Sequence, residues 1–338
     1  DIEIDLASDD AGAFDVQGVL SPRSIEFQRR GTQVRFPRID GSIRFSDDAG
    51  SFTDLVARGV DWHLDLEGSW RRFGDSDLAL DLRTSLEAPS LHEELRALLP
   101  IRLEVLRESI ELAVDERLVV PDAVFQLRRT DGIWDVRSEG LVEFEGGHGL
   151  IGVQVTDAIG EASYQVESLG DDPPTYDIAV LGSSLRAASI ALTDARIRLR
   201  SGLEERSLLV PLISADCHGG RLAGSARVMP RGIEADYQLD LRASGIEFAP
   251  VLSDFRADVV PVSDSRSRGV IDGEFSLSGT VLDPPSRRGR GTILVGGGAV
   301  VSMPLMLPLI QVSNMQVPGS SELDLATASF FVEGERVT

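Results

Sequence analysis

No lysine occurs in the 338 residues, so all 33 basic side chains are arginine, set against 55 aspartates and glutamates. Arginine exclusivity of this kind follows codon composition rather than mechanism. The net charge of −22 excludes nucleic acid as a natural partner, because phosphate binding draws on a basic surface. It also disfavours broad docking on an anionic leaflet. The single cysteine, Cys217, excludes an internal disulfide and leaves the redox compartment open. Aromatics make up 6%, with 3 Trp and 3 Tyr. That is too few for sugar-stacking platforms or for the aromatic girdles of an outer-membrane barrel. The most apolar stretch, residues 304–312 (PLMLPLIQV), is too short to cross a bilayer. The chain opens on Asp1 inside an alternating run (Ile2, Ile4, Leu6), as a piece of a longer protein would, so no compartment is read from targeting signals.

What the sequence has in abundance is alternation. Phe14 and Val16, Ile25 and Phe27, Val34 and Phe36, then Ile43 and Phe45 follow the period of strands with one apolar face. Turn chemistry separates them at 9–12 (DDAG), 30–32 (RGT) and 39–41 (IDG). In VDWHLDLEG, Val60, Trp62, Leu64 and Leu66 share one face, while Asp61, His63, Asp65 and Glu67 share the other. Further short strands are expected at 101–106 and around Leu112 and Val114, Phe125 and Leu127, Trp134 and Val136, and Val142 and Phe144. Others follow around Val153 and Val155, Tyr164 and Val166, Ile178 and Val180, and Ile197 and Leu199. EADYQLDLRASG sets Ala235, Tyr237, Leu239 and Leu241 against Glu234, Asp236, Gln238, Asp240 and Arg242.

Helical signals are few. Residues 90–99 (SLHEELRALL) carry a Ser90 cap, Glu93 in the capping-box position and Pro100 as a stop. A second short helix is expected at 247–255, and 263–269 (SDSRSRG) reads as a flexible connection. Near the end, Thr292 to Val295 form a strand, Gly296, Gly297 and Gly298 a turn, 299–301 a second short strand, and 304–312 a compact apolar segment. About twenty strands with two or three short helices exclude a βαβ architecture. The expected fold is therefore all-β and mainly antiparallel, a meander of consecutive strands. Open sheets beyond about ten strands curl or split. Sandwich, closed barrel and rolled trough all satisfy the pattern. In a trough the few helices cannot roof the apolar face, and each exposed aliphatic costs roughly 1.5–3 kcal/mol relative to burial. Acyl chains lying flat on the sheet would offset that cost.

Chemistry finds little foothold. The histidines, His63, His92, His148 and His218, are scattered, and adjacent Cys217 and His218 point to opposite sides of a strand. His63 with Asp61 and Asp65 shares a face but lacks a further ligand. Arg196, Arg198 and Arg200 read as a solvated strand face, and 286–290 (SRRGR) as a basic hairpin tip. The glycines of 289–298 lack phosphate-loop spacing. No catalytic, metal or cofactor site is expected.

The segments GGRLAGSARV, YQLDLRASGIEFAPVL, GEFSLSGTV, GRGTILVGGGAVVSMPLMLPLIQV and ATASFFVEGERV resemble the C-terminal region of the AsmA-like proteins of bacterial envelopes. That family is related in architecture to TamB and to the eukaryotic chorein-type bridge lipid transporters. Residues 1–206 resemble its repetitive β part, and 207–338 its C-terminal region, continuous with the groove. The resemblance implies an elongated, twisted groove with an apolar interior, anchored in the inner membrane by an N-terminal helix and projecting into the periplasm. It also implies a role in phospholipid movement or outer-membrane homeostasis. The expected groove lining is Tyr237, Leu239, Leu241, Phe275, Leu277, Ile293, Val295, Leu305 and Leu307. The expected partners are phospholipid or another acyl lipid, the inner membrane through an anchor outside this chain, and envelope proteins. Two other readings are a β scaffold that pairs through a sheet edge and a secreted β enzyme, which the absence of a convergent titratable cluster disfavours.

Overall fold

Where apolar and polar residues alternate, the backbone is extended and paired. The computed structural model describes residues 2–8, 14–29, 32–73, 77–90, 111–151, 153–170, 172, 174–201, 207–231, 234–255, 269–281, 283–296, 325–334 and 336–338. In chain order the strands are β1 (Ile2–Ser8), β2 (Phe14–Leu20), β3 (Ile25–Arg29), β4 (Thr32–Phe36), β5 (Arg38–Phe45), β6 (Ala49–Arg58), β7 (His63–Phe73) and β8 (Asp77–Ala88). Then come β9 (Ala113–Thr130), β10 (Ile133–Ile151), β11 (Val153–Leu169), β12 (Thr175–Ala187), β13 (Ile190–Ser201), β14 (Leu208–Cys217), β15 (Gly220–Arg231) and β16 (Glu234–Glu247). Helix α1 (Phe248–Phe255) follows, and β17 (Val270–Thr280), β18 (Asp283–Gly296), β19 (Leu325–Glu333) and the two-residue β20 (Arg336–Val337) complete the described chain.

Eighteen strands form one sheet, and β3 with β4 forms a separate hairpin. Every pairing is antiparallel, and each strand from β5 onward pairs with the next in sequence. The β3–β4 hairpin is an excursion, because β2 pairs directly with β5. The fold is thus the all-β, curled meander that the alternation implies, with one short helix among the described residues. Residues 91–99 of the helix expected over 90–99, the strand at 101–106, the connection at 263–268, and the turn, strand and apolar segment across 297–312 lie outside the described residues.

Curvature comes from bulges. Register shifts interrupt most strand pairs, for example between Phe144 and Gly147 on β10 and between Thr156 and Ile159 on β11. The extra residues adopt positive φ: Asp54 at 49°, Asp157 at 53°, Asp194 at 48° and Gly146 at 70°. A bulge bends its strand and increases the local twist, so a series of them rolls the sheet.

Three expectations need correction. Residues 39–41 are not a turn. They lie inside β5, where Gly41, at φ +115, forms the bulge opposite Asp54. Val60 does not share the strand face of Trp62. It is fully exposed in the turn closed by the Gly59 N–H to the Trp62 carbonyl, at 2.9 Å, and β7 starts only at His63. Arg287, Arg288 and Arg290 are not a hairpin tip, because β18 begins at Asp283 and the turn precedes it.

Glycines make room for rings on the inner face. A Cβ on Gly291 would lie 2.3 Å from the ring of Phe330, its direct cross-strand partner. Phe330 in turn stacks on Phe275, with centroids 5.8 Å apart. Gly291→Val therefore overpacks a site with no slack. It is expected to lower stability by about 2 kcal/mol, read as a lower denaturant midpoint at unchanged slope. A variant as stable as the parent would show that the ring has space to move.

Candidate functional site

Directly paired residues of an antiparallel sheet share a face, so the registers trace one face across the whole sheet. One row runs Val142, Ala162, Val180, Ile197, Ile213, Gly224, Leu241, Phe275, Gly291, Phe330, each paired with the next. It contains no charged or polar side chain. From β10 to β19 it covers nine inter-strand steps, about 43 Å along the sheet. That exceeds the hydrocarbon thickness of a bilayer, about 30 Å. The same face continues through Leu82 and Leu80 on β8, Leu66 and Leu64 on β7, and Leu55 and Phe52 on β6.

The row is not sealed. All its members except the buried Gly291 are only half-buried. Full burial on the inner face occurs in three places: under the β3–β4 hairpin, under α1, and in a cluster of Val228, Ala235, Tyr237, Leu277 and Val281 that the sheet's own side chains fill. Over β5 to β7, Phe36 from the end of the β3–β4 hairpin packs edge-on against Trp62, with centroids 5.6 Å apart at 84°, and Ile39, Leu55, Ala57 and Ala88 complete the cluster. At the other end α1 covers Leu192, Ala195, Ala215, Cys217 and Ile246 through Val251, while its Phe248 packs on Val295. Among the described residues the β3–β4 hairpin is the only second sheet that packs on the first.

Seven of the expected lining residues fall on this inner face. Leu239 pairs with Leu277, Leu241 with Phe275, and Tyr237 with Gly279. Ile293 pairs with Gly273, and Val295 with Ile271. Tyr237, Leu277 and Val295 are buried, Leu239, Leu241 and Phe275 half-buried, and Ile293 exposed. The other two, Leu305 and Leu307, lie outside the described residues. The sheet passes from β13 to β14 through Ser201 and Leu208 without a break in pairing.

The outer face carries the charge. Arg198 makes a two-pronged contact with Asp177, at 3.0 and 2.8 Å, and Arg200 lies 3.5 Å from the same carboxylate. The hydrogen bonds from Arg198 hold the Asp177 pKa below its ordinary value. The alternating arginines are thus a solvated, ion-paired face, and such exposed pairs contribute little to stability. A depression of about 470 Å³ lies beside the bulges of β10 to β13, between Arg117, Glu145, Glu161 and Arg196. Its lining mixes these charged side chains with Phe144, Gly160, Gly182 and Ala195 of the inner face.

The three described histidines pair singly with carboxylates, and His92 lies outside the described residues. His63 faces Glu87 at 3.8 Å, not Asp65, whose carboxylate accepts from the Ser85 hydroxyl. His148 sits 3.2 Å from Asp115. No cluster among the described residues could hold a metal ion. His218 finds a partner that sequence spacing does not suggest: its Nε2 lies 2.7 Å from Asp254, on α1. Cys217 beside it is buried. Burial, with the nearby Asp254 carboxylate, pushes its thiol up to about 11, whereas reactive thiols need a depressed pKa.

No helix among the described residues is long and apolar enough to cross a membrane. No protein-family model matches the chain, and no curated protein or solved structure is significantly similar to it.

Proposed function

We propose that this chain is a non-enzymatic lipid-binding groove of a bacterial envelope protein, which holds or conducts phospholipid acyl chains along the inner face of its sheet. One observation carries the reading: the uncharged, half-buried row from Val142 to Phe330. A face of this kind pays for its exposure in water unless an apolar ligand covers it. Its length suits extended hydrocarbon, and the charged outer face keeps the other side in solvent. The likeness of 207–338 to AsmA-like C-terminal regions supports the same reading. With it comes a periplasmic setting and an inner-membrane anchor outside this chain.

Native mass spectrometry of protein purified from membranes tests the proposal. The expected result is co-purifying phospholipid, released when the inner face is made polar. Delipidated and lipid-exposed samples with identical masses and identical inner-face solvent protection would overturn it.

A scaffold role is the second reading. It is favoured by the edge at β19, where β20 pairs only with Val332 and Glu333 in register. Proline at Thr327, whose N–H lies on the edge side as that of Phe331 does and whose side chain faces outward, would then abolish partner binding and spare lipid binding.

A further inference from the structure

Helix α1 lies on the same inner face that the acyl row occupies. Beneath it, Leu185 pairs with Leu192, Ala215 with Leu222, and Ile246 with Ile271 and on to Val295. These are direct continuations of the strands that form the half-buried row. The helix supplies Phe248 and Val251 to this floor, so it fills with its own side chains a stretch that would otherwise be open.

The attachment of α1 is asymmetric. Its first residue follows β16 without a linker, and that end is tied by the Glu247 N–H to the His218 carbonyl and the Phe248 N–H to the Gly269 carbonyl, both at 2.9 Å. Asp254, six residues on, lies about 9 Å along the axis. It joins two separate turns. Its carboxylate accepts from the Ala191 N–H at 3.0 Å, at the start of β13, and meets His218 Nε2 at 2.7 Å, in the β14–β15 turn. Arg186, at 4.0 Å, adds a third neighbour, a guanidinium from the end of β12. The pair is largely sheltered, with 19% of the His218 and 16% of the Asp254 side chain exposed. Breaking it therefore leaves a sheltered charge without its partner, a costly state.

We infer that α1 is a hinged cap, clasped by Asp254 to His218 and Ala191, that occupies one end of the groove and must lift for an acyl chain to fill it. The inference rests on the groove reading. Helix and acyl chain then compete for the floor at Leu192, Ala215, Cys217 and Ile246.

The clasp tolerates mild acid. Burial alone would raise the Asp254 pKa, but the Ala191 N–H, His218 and Arg186 together outweigh it and hold the group below its ordinary 3.8. A depressed carboxyl pKa contributes stability above the ordinary value, lost as pH falls through the folded one. The cap therefore stays shut at pH 5, and displacement by ligand is the route to opening.

Cys217, the chain's only cysteine and 2% exposed under the cap, reports the motion. The experiment compares the full chain with Asp254→Ala and His218→Gln, reading Cys217 labelling by a maleimide as a rate per thiolate, taken from its pH profile because Asp254 itself raises the thiol pKa, and binding of palmitate. Both variants are expected to label about tenfold faster and to bind palmitate about tenfold more tightly, because no clasp opposes entry. Saturating palmitate is expected to slow labelling in both variants, because the acyl chain then covers Cys217 in place of the helix. Faster labelling with palmitate affinity unchanged within twofold overturns the cap as a competitor and leaves the groove reading standing. Unchanged labelling in both variants overturns the clasp. Failure of every form to bind palmitate, with labelling faster in the variants, overturns the groove reading itself and the competition with it. If Asp254→Ala does not fold, His218→Gln carries the same readouts.

Discussion

Glutamate at Val142, Ile197 and Leu241 together is expected to abolish acyl-lipid binding while the sheet stays folded. The three lie on one row, on β10, β13 and β16. They are three strands apart, about 14 Å, so their effects should add. A carboxylate on this face meets an acyl chain with an unpaired charge, which is costly in an apolar contact. Each single change is expected to weaken binding about tenfold, or about 1.4 kcal/mol. Stability should fall much less, because these positions are half-buried and a glutamate there keeps water around its carboxylate. Ala179→Glu is the control. It faces outward, opposite Arg198, and should leave lipid binding intact. Binding of a fluorescent acyl probe, with circular dichroism to follow the fold, separates the outcomes. A triple variant that binds within twofold of the parent would remove the inner face from consideration.

Trp62→Ala is expected to cost about 3–5 kcal/mol, the range for deleting a large buried aromatic. Trp62 is 7% exposed and fixes the β3–β4 hairpin over the sheet through Phe36, while Leu64, Leu66 and Leu86 pack around the same cluster. A sheet with one open face has few such places to gain packing energy, so each covered end counts heavily. Phe73→Ala makes the contrast. Phe73, at the far end of β7 and 51% exposed, should change stability by no more than about 0.5 kcal/mol. Chemical denaturation measures both. Equal effects would mean that the hairpin is not a structural cap.

Both expectations depend on which residues share a face, and here alternation alone is misleading. On β10 the inner residues are Val136, Val142 and Phe144, at even positions, until the bulge at Gly146; beyond it Gly147 and Gly149 take over, at odd positions. On β11 Val155 is inward before Asp157, and Ala162, Tyr164 and Val166 after it. Each slip looks in sequence like the end of one strand and the start of another. That is why β11 reads as two short strands; on β10 Trp134, Val136, Val142 and Phe144 share one parity, and Ser138 and Gly140 at the inner positions between them interrupt the apolar pattern instead. Aspartate at positive φ is the local trace of the slip, because its short polar side chain tolerates that conformation better than most. Within EADYQLDLRASG no slip occurs before Gly245, and Tyr237, Leu239 and Leu241 are correctly placed on one face from their spacing.

Composition and period settled that this chain is a one-faced antiparallel meander with too little helix to roof it, because strand spacing and turn chemistry act over a few residues. Only the tertiary structure decided where that face stays open. The hairpin over Trp62, the bulges that roll the sheet, and the meeting of Asp254 with His218 and Ala191 join residues 26, 36 and 63 positions apart or more. Contacts at such separations are set by how far the sheet curls, and curl accumulates over many strands rather than within any one of them.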